Sequence, residues 1–173
     1  SINDIEWRSL FNHLIELLTS RLGNKNPDGC TCLFDIDGTL IREDGDMSPS
    51  SRILPVIMFY KYCLSIGIIP YIITARPGFD KNITNTQTMI NHLLQDHPDK
   101  AVYMDIYFMD DKYALTSSMC PISYKHDARK MIGSNILMSI GDQICDINKS
   151  DTTMTSVLMR RIHSDTYEVA VYN

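Results

Sequence analysis

The stretch CLFDIDGTL, residues 32–40, runs an apolar segment straight into two aspartates at alternate positions, Asp35 and Asp37, with Gly38 directly after them. Residues i and i+2 of an extended segment point to the same side, so both carboxylates face one small volume where a strand ends. Taken alone, this is an ordinary turn, because Asp and Gly are common turn formers after strands. Whether it is more depends on what the rest of the chain brings to the same place.

Working outward, CTCLFDID (residues 30–37) has the length and apolar character of a buried strand. Before it, Ile2, Ile5, Leu10, Phe11, Leu14, Leu17 and Leu18 recur at near-helical spacing and predict an amphipathic helix over residues 1–22, stopped by Gly23 and the loop GNKNPDG. After it, the polar segment REDGDMSPSS leads into a helix expected over residues 51–65, with Ser48 or Ser50 as its cap and Pro49 near its first turn. A second strand is expected over IIPYIITA (68–75) with Pro70 at its start, then a helix over 80–95 and a third strand within AVYMDIYFM (101–109). A short helix over 125–131, a strand at NILMSIG (135–141) and two short final strands joined by the turn HSDT complete the chain. Strands alternating with helices argue for βαβ crossovers. The expected fold is therefore α/β and Rossmann-like, a mostly parallel sheet flanked by helices on both faces, with 173 residues suiting a single domain.

Composition narrows the function classes. With 16 basic against 21 acidic residues the net charge is −5, which argues against a broad footprint for nucleic acid or anionic membrane. No run approaches the roughly 18 apolar residues of a membrane span, and no basic and apolar leader opens the chain. Five scattered cysteines cannot all pair, and Cys30 and Cys32 lack the spacing of a zinc ribbon, so the simplest expectation is a cytoplasmic protein in a reducing compartment.

In parallel sheets, ligands gather beyond the carboxyl ends of the strands. That edge would carry Asp35 and Asp37 from the first strand, Thr74 and Arg76 from the second, and Asp142 and Asp146 of GDQICD from the fourth. Such crowding of anions calls for a cation, and clustered carboxylate oxygens suit Mg²⁺. Each piece alone has a plain reading: Thr74 is a common strand residue, Asp142 could cap a helix, and Lys125 at a helix start is by default a solvated charge. Their conjunction, in this order, is what points to a site.

Four segments in this order, DIDGT (35–39), IITAR (72–76), the lysine of YKHDAR (Lys125) and IGDQICD (140–146), resemble the four motifs of the haloacid dehalogenase superfamily of phosphohydrolases. FDIDGTL, TARP, YKHDAR and IGDQICDI are more narrowly similar to its acid phosphatase-like subfamily. The resemblance implies that Asp35 attacks phosphorus to form an aspartyl-phosphate, and that Asp37 protonates the leaving oxygen and then activates water. It implies a phosphate cradle from Thr74, Lys125 and the backbone at Ile36, Gly38, Thr39, Ala75 and Arg76, with Arg76 either touching substrate or packing at the rim. Mg²⁺ would be held by Asp35, the Asp37 carbonyl and Asp142, with Asp146 holding the metal's water shell or the lysine. Lys112 and Lys130 are rivals for the lysine role, and His126 is expected to be exposed.

In that superfamily, cap domains are inserted after the first motif or before the lysine. Here those windows, 41–50 and 110–124, are long enough only for loops, so the expectation is a nearly capless enzyme unless the N-terminal helix or a second subunit forms a lid. An open cleft admits bulky or macromolecular phosphoesters and weakens the case for a mutase, whereas the acidic loop REDGD (42–46) discourages polyanions at the entrance and favours small phosphomonoesters such as nucleotides as substrates. Phosphorylated nucleic-acid ends or phosphoproteins, and a catalytically weak phosphate-binding or storage role, stay open as alternatives, as does homo-oligomerisation.

Overall fold

The computed structural model describes residues 2–43, 48–110, 122–133, 135–163 and 165–173. Strand β1 (Ile2–Glu6) leads into helix α1 (Trp7–Leu22), and β2 (Thr31–Phe34) into α2 (Leu54–Ser65). Then follow β3 (Tyr71–Pro77), α3 (Asp80–Leu94), β4 (Ile106–Met109), α4 (Ile122–Ile132), β5 (Ile136–Gly141), β6 (Thr155–His163) and β7 (Thr166–Tyr172). All strands join one sheet in the order β1-β7-β6-β5-β2-β3-β4. The five strands from β6 to β4 run parallel, and β7 and β1 add an antiparallel edge. This is the expected mostly parallel α/β architecture.

The chain leaves β2 toward β3 on one side and later returns to pair β5 on the other. The carboxyl end of β2 is thus a topological switch point, where diverging connections open a crevice. Asp35 is the first residue beyond that end.

Strand alternation divides the packing. Cys32 and Phe34 enter the larger core with Leu10, Leu14 and Leu18 of α1 and the buried residues of α2 and α3, while Leu33 packs in a second cluster with Tyr124 and Ala128 of α4. Leu10, Leu14 and Leu18 recur every four residues on one helix face and are fully buried, each worth roughly 1.5–3 kcal/mol relative to exposure. The Phe34 ring lies 4.6 Å from Tyr60 and 6.0 Å from Phe59, which fixes β2 against α2. Tyr60 satisfies its buried hydroxyl by donating to the Val102 carbonyl.

Several boundaries differ from the sequence reading. The first turn and a half of the expected N-terminal helix is strand β1, because residues 2–6 find a backbone ladder on β7 that outweighs their helical spacing. Residues 49–51 form a separate 3₁₀ turn and α2 starts at Leu54, with Pro55 in its first turn and no side-chain cap, so neither Ser48 nor Ser50 caps it. The strand expected at 68–75 begins after Pro70 and extends to Pro77, which puts Arg76 inside β3. Helix α4 begins before Lys125 and carries that lysine on a buried face. Among the described residues no helix is long and apolar enough to cross a membrane. The window 110–124 lies largely outside them, as does part of 41–50.

Candidate active site

The loop after β2 is built around the Ile36 carbonyl, which accepts hydrogen bonds from the amides of Thr39, Leu40 and Ile41. Ile36 itself is fully buried, anchoring the loop, while Asp35 is tied to β5 through its amide, 3.1 Å from the Ile140 carbonyl. Gly38 turns at φ +80°, and a Cβ there would stand 2.0 Å from Asp142 Oδ2. A glycine is needed at this point on both counts, backbone and space.

Lys125 reaches in from α4 and bridges two carboxylates. Its Nζ donates to Asp35 Oδ1 at 2.9 Å and also to Asp146 Oδ1, and all three side chains are almost wholly buried. Asp146 is fixed from every side: its Oδ2 accepts from the amides of Asp142 (3.2 Å) and Gln143 (3.1 Å), and its carbonyl accepts from Ser139 Oγ at 2.5 Å. Gly141 makes room for it, since a Cβ there would fall 2.0 Å from the Asp146 Cβ. Asp146 is therefore primarily the lysine's holder. One carboxylate oxygen from each of Asp35, Asp142 and Asp146 lies within 4.8 Å of the others.

The electrostatics follow from burial. Asp35 is pushed from 3.8 up to about 7, chiefly by desolvation, with Lys125 opposing and Asp142 reinforcing the rise. Asp146 rises to about 6 through burial and then Asp35, and Asp142 to about 6 mainly through burial. For Lys125, burial pulls downward, but the attraction of Asp35 and Asp146 outweighs it and holds the ammonium above its ordinary value. Three ionised carboxylates and one ammonium leave two uncompensated negative charges. Asp142 Oδ1 is buried without a hydrogen-bond partner. An all-oxygen donor set with an orphaned carboxylate oxygen fits a hard divalent cation.

Asp37 is not part of this triad. Both of its carboxylate oxygens are taken by the Arg76 fork, Nε to Oδ2 and Nη2 to Oδ1, each at 2.8 Å. Arg76 is thus half-buried and bound to the second aspartate, where the rim was one of two sequence readings, and its Nη1 is steadied by Thr86 at 3.2 Å. Thr74 is fully buried and its Oγ1 accepts from the Arg76 amide at 3.1 Å, so it shapes the bend that aims Arg76. Thr39 Oγ1 lies 3.5 Å from Asp35 Oδ2 and so addresses Asp35.

Asp35, Asp37, Arg76, Lys125 and Asp146 line a cleft of about 340 Å³ together with Ala75, Glu43, Gln143 and Cys145. Glu43, Gln143 and Arg129 were not singled out from sequence. Arg129, buried one turn after Lys125 on α4, donates to the Cys145 carbonyl at 3.0 Å and steadies the 144–146 turn. Its i+4 spacing from Lys125 was the available signal. Lys130 and His126 are exposed, and Lys112 lies outside the described residues. Among the described residues Cys30, Cys32 and Cys63 are free thiols and Cys145 is disulfide-bonded, where a reducing compartment was the simpler expectation. No protein-family model matches the chain, and no curated protein matches it.

Proposed function

We propose that the chain is a phosphomonoester hydrolase of the haloacid dehalogenase type, using Asp35 as nucleophile, Mg²⁺ as cofactor and a small phosphomonoester as substrate. The observation that carries this reading is Asp35 at the switch point of the sheet, held by Lys125 and set beside Asp142 and Asp146.

Asp35 and Asp142 would hold the cation, with the Asp37 carbonyl as the further ligand the motif implies, and Asp146 beside them holds Lys125. When bound, the cation supplies charge compensation that keeps Asp35 ionised and draws off negative charge from the phosphoryl oxygens. Lys125 fixes the orientation of Asp35 and offers a buried positive charge to the transferring group. Asp35 forms a bond to phosphorus as the bond to the leaving oxygen breaks, and Asp37 would give that oxygen a proton once it has left the Arg76 fork and taken up that proton from solvent. Asp37 then takes a proton from the water that cleaves the aspartyl-phosphate and regenerates Asp35. Arg76 holds the Asp37 carboxylate in one orientation. A cleft of about 340 Å³ accommodates a phosphoryl group with a small leaving group.

Purified protein with Mg²⁺ should hydrolyse an aryl phosphate, and Asp35→Asn should remove that turnover. Turnover undiminished in Asp35→Asn would overturn the assignment.

A further inference from the structure

Strand β6 is longer than the strand it runs beside. Gly141, the last residue of β5, is in register with Leu158, so β6 continues from 159 to 163 beyond the carboxyl edge of β5. At about 3.3 Å per residue this overhang is some 16 Å. It carries Arg160, Arg161 and His163 past the sheet edge, alongside the loops that hold Gly38 and Asp142.

There, Arg42, Arg160, Arg161 and His163 line a cleft of about 440 Å³ that also includes Asp142 and Glu43. Glu43 lines the catalytic cleft too, and Asp142 belongs to the carboxylate triad, so the two clefts meet. Three guanidiniums in one cleft stand out in a chain of net charge −5. Their internal partners are weak. Among the described residues, Arg160 meets Glu168 at 3.6 Å in an exposed pair, Arg161 donates its Nε to the His163 carbonyl at 3.2 Å, and Arg42 Nε is buried with no partner. Planar guanidinium forks match phosphate oxygens in pairs.

We propose that this cleft binds a second, non-reacting phosphate of the substrate, so that the preferred substrates are small bisphosphates. The proposal rests on the phosphatase reading and adds the substrate class to it. Ile53 and Ile162 lie on the wall of the cleft, whose volume is about 440 Å³. It fits one phosphate with the sugar or similar group that carries it, whereas a nucleic-acid strand calls for a longer basic track.

The test compares adenosine 3′,5′-bisphosphate with AMP, by calorimetric binding to the Mg²⁺-loaded Asp35→Asn protein and by kcat/KM with the unaltered protein. The bisphosphate is expected to bind about tenfold or more tightly, the scale of one charge-assisted contact. Arg160→Ala with Arg161→Ala should collapse that ratio toward one, and Arg161→Lys, which keeps the charge but not the fork, should give an intermediate ratio. Equal binding of the two nucleotides, no binding of the bisphosphate at millimolar concentration, or a preference that survives the double substitution overturns the proposal. So does faster turnover of a 5′-phosphorylated oligonucleotide than of the bisphosphate. Aryl phosphate turnover without any bisphosphate preference defeats the second-phosphate site alone. Arginine-dependent bisphosphate binding without turnover of any phosphoester defeats the phosphatase reading alone.

Discussion

Arg76 closes a two-pronged fork on Asp37, with both nitrogen–oxygen distances at 2.8 Å. Lysine can keep the charge of this contact but not its planar geometry, so Arg76→Lys leaves Asp37 free to rotate. Misplacement of a proton-transfer group by about 1 Å can lower turnover roughly a hundredfold. Arg76→Lys is expected to lower kcat by about 10- to 100-fold with a smaller change in KM. Steady-state kinetics on an aryl phosphate separate this from a substrate-contact role, which would raise KM and spare kcat.

Lys125 stands between Asp35 and Asp146 with its side chain 3% exposed. Removing one partner of a buried ion pair commonly costs about 3–5 kcal/mol, because the remaining charge is stranded. Lys125→Met is expected to lose stability on that scale at pH 7.5 and less at pH 5, where Asp35 and Asp146 can take up protons instead. Urea unfolding at the two pH values measures the difference, and equal losses would contradict this account.

The three acidic side chains give a signed pH dependence. Asp35 moves from 3.8 to about 7, and Asp142 and Asp146 from 3.8 to about 6, so the folded chain binds these protons more tightly than the unfolded chain. Their contribution to stability is therefore full below about pH 4 and is lost as pH rises through 6 to 7. A divalent cation competes with the same protons. Mg²⁺ is expected to raise Tm more at pH 7.5 than at pH 5 and to release protons on binding near pH 6.5. Thermal scans of the unaltered protein and of Asp142→Asn isolate the effect, and an equal Mg²⁺ shift at both pH values in the unaltered protein would count against it.

Gly38 has no room for a side chain, because a Cβ would stand 2.0 Å from Asp142 Oδ2 at φ +80°. Gly38→Ala must push Asp142 aside or distort the loop, and a residue held in this backbone region carries about 1–3 kcal/mol of strain. Weakened Mg²⁺ affinity, read by calorimetry, is the expected outcome, accompanied by a drop in Tm. Unchanged affinity would mean that Asp142 is not a ligand.

The mostly parallel α/β class follows from a pattern that sequence carries openly: short apolar runs alternating with amphipathic helices, interrupted by Gly and Pro. The placement of Asp35, Asp142 and Asp146 around one edge was legible for the same reason, since topology sends strand ends to a common crevice, whereas Lys125, on a helix, was picked out only by the motif resemblance. What could not be read were matters of pairing. Residues 2–6 look helical by spacing, and only the distant β7 makes them a strand. Arg76 could be rim or site until the bend at Thr74 directed it to Asp37. The basic overhang of β6 was hidden because the extra length of β6 beyond β5 leaves no mark in composition.

The pairing of β1 with β7 also governs the order of assembly. The strand at residues 2–6 can find its hydrogen bonds only after residues 166–172 exist and have folded back on β6. During synthesis, α1 can form early, while its leading strand waits unpaired for nearly the whole length of the chain. Completion of the sheet is then a late, long-range closure, and the nascent chain carries an exposed strand for chaperones or other chains to meet until that closure occurs.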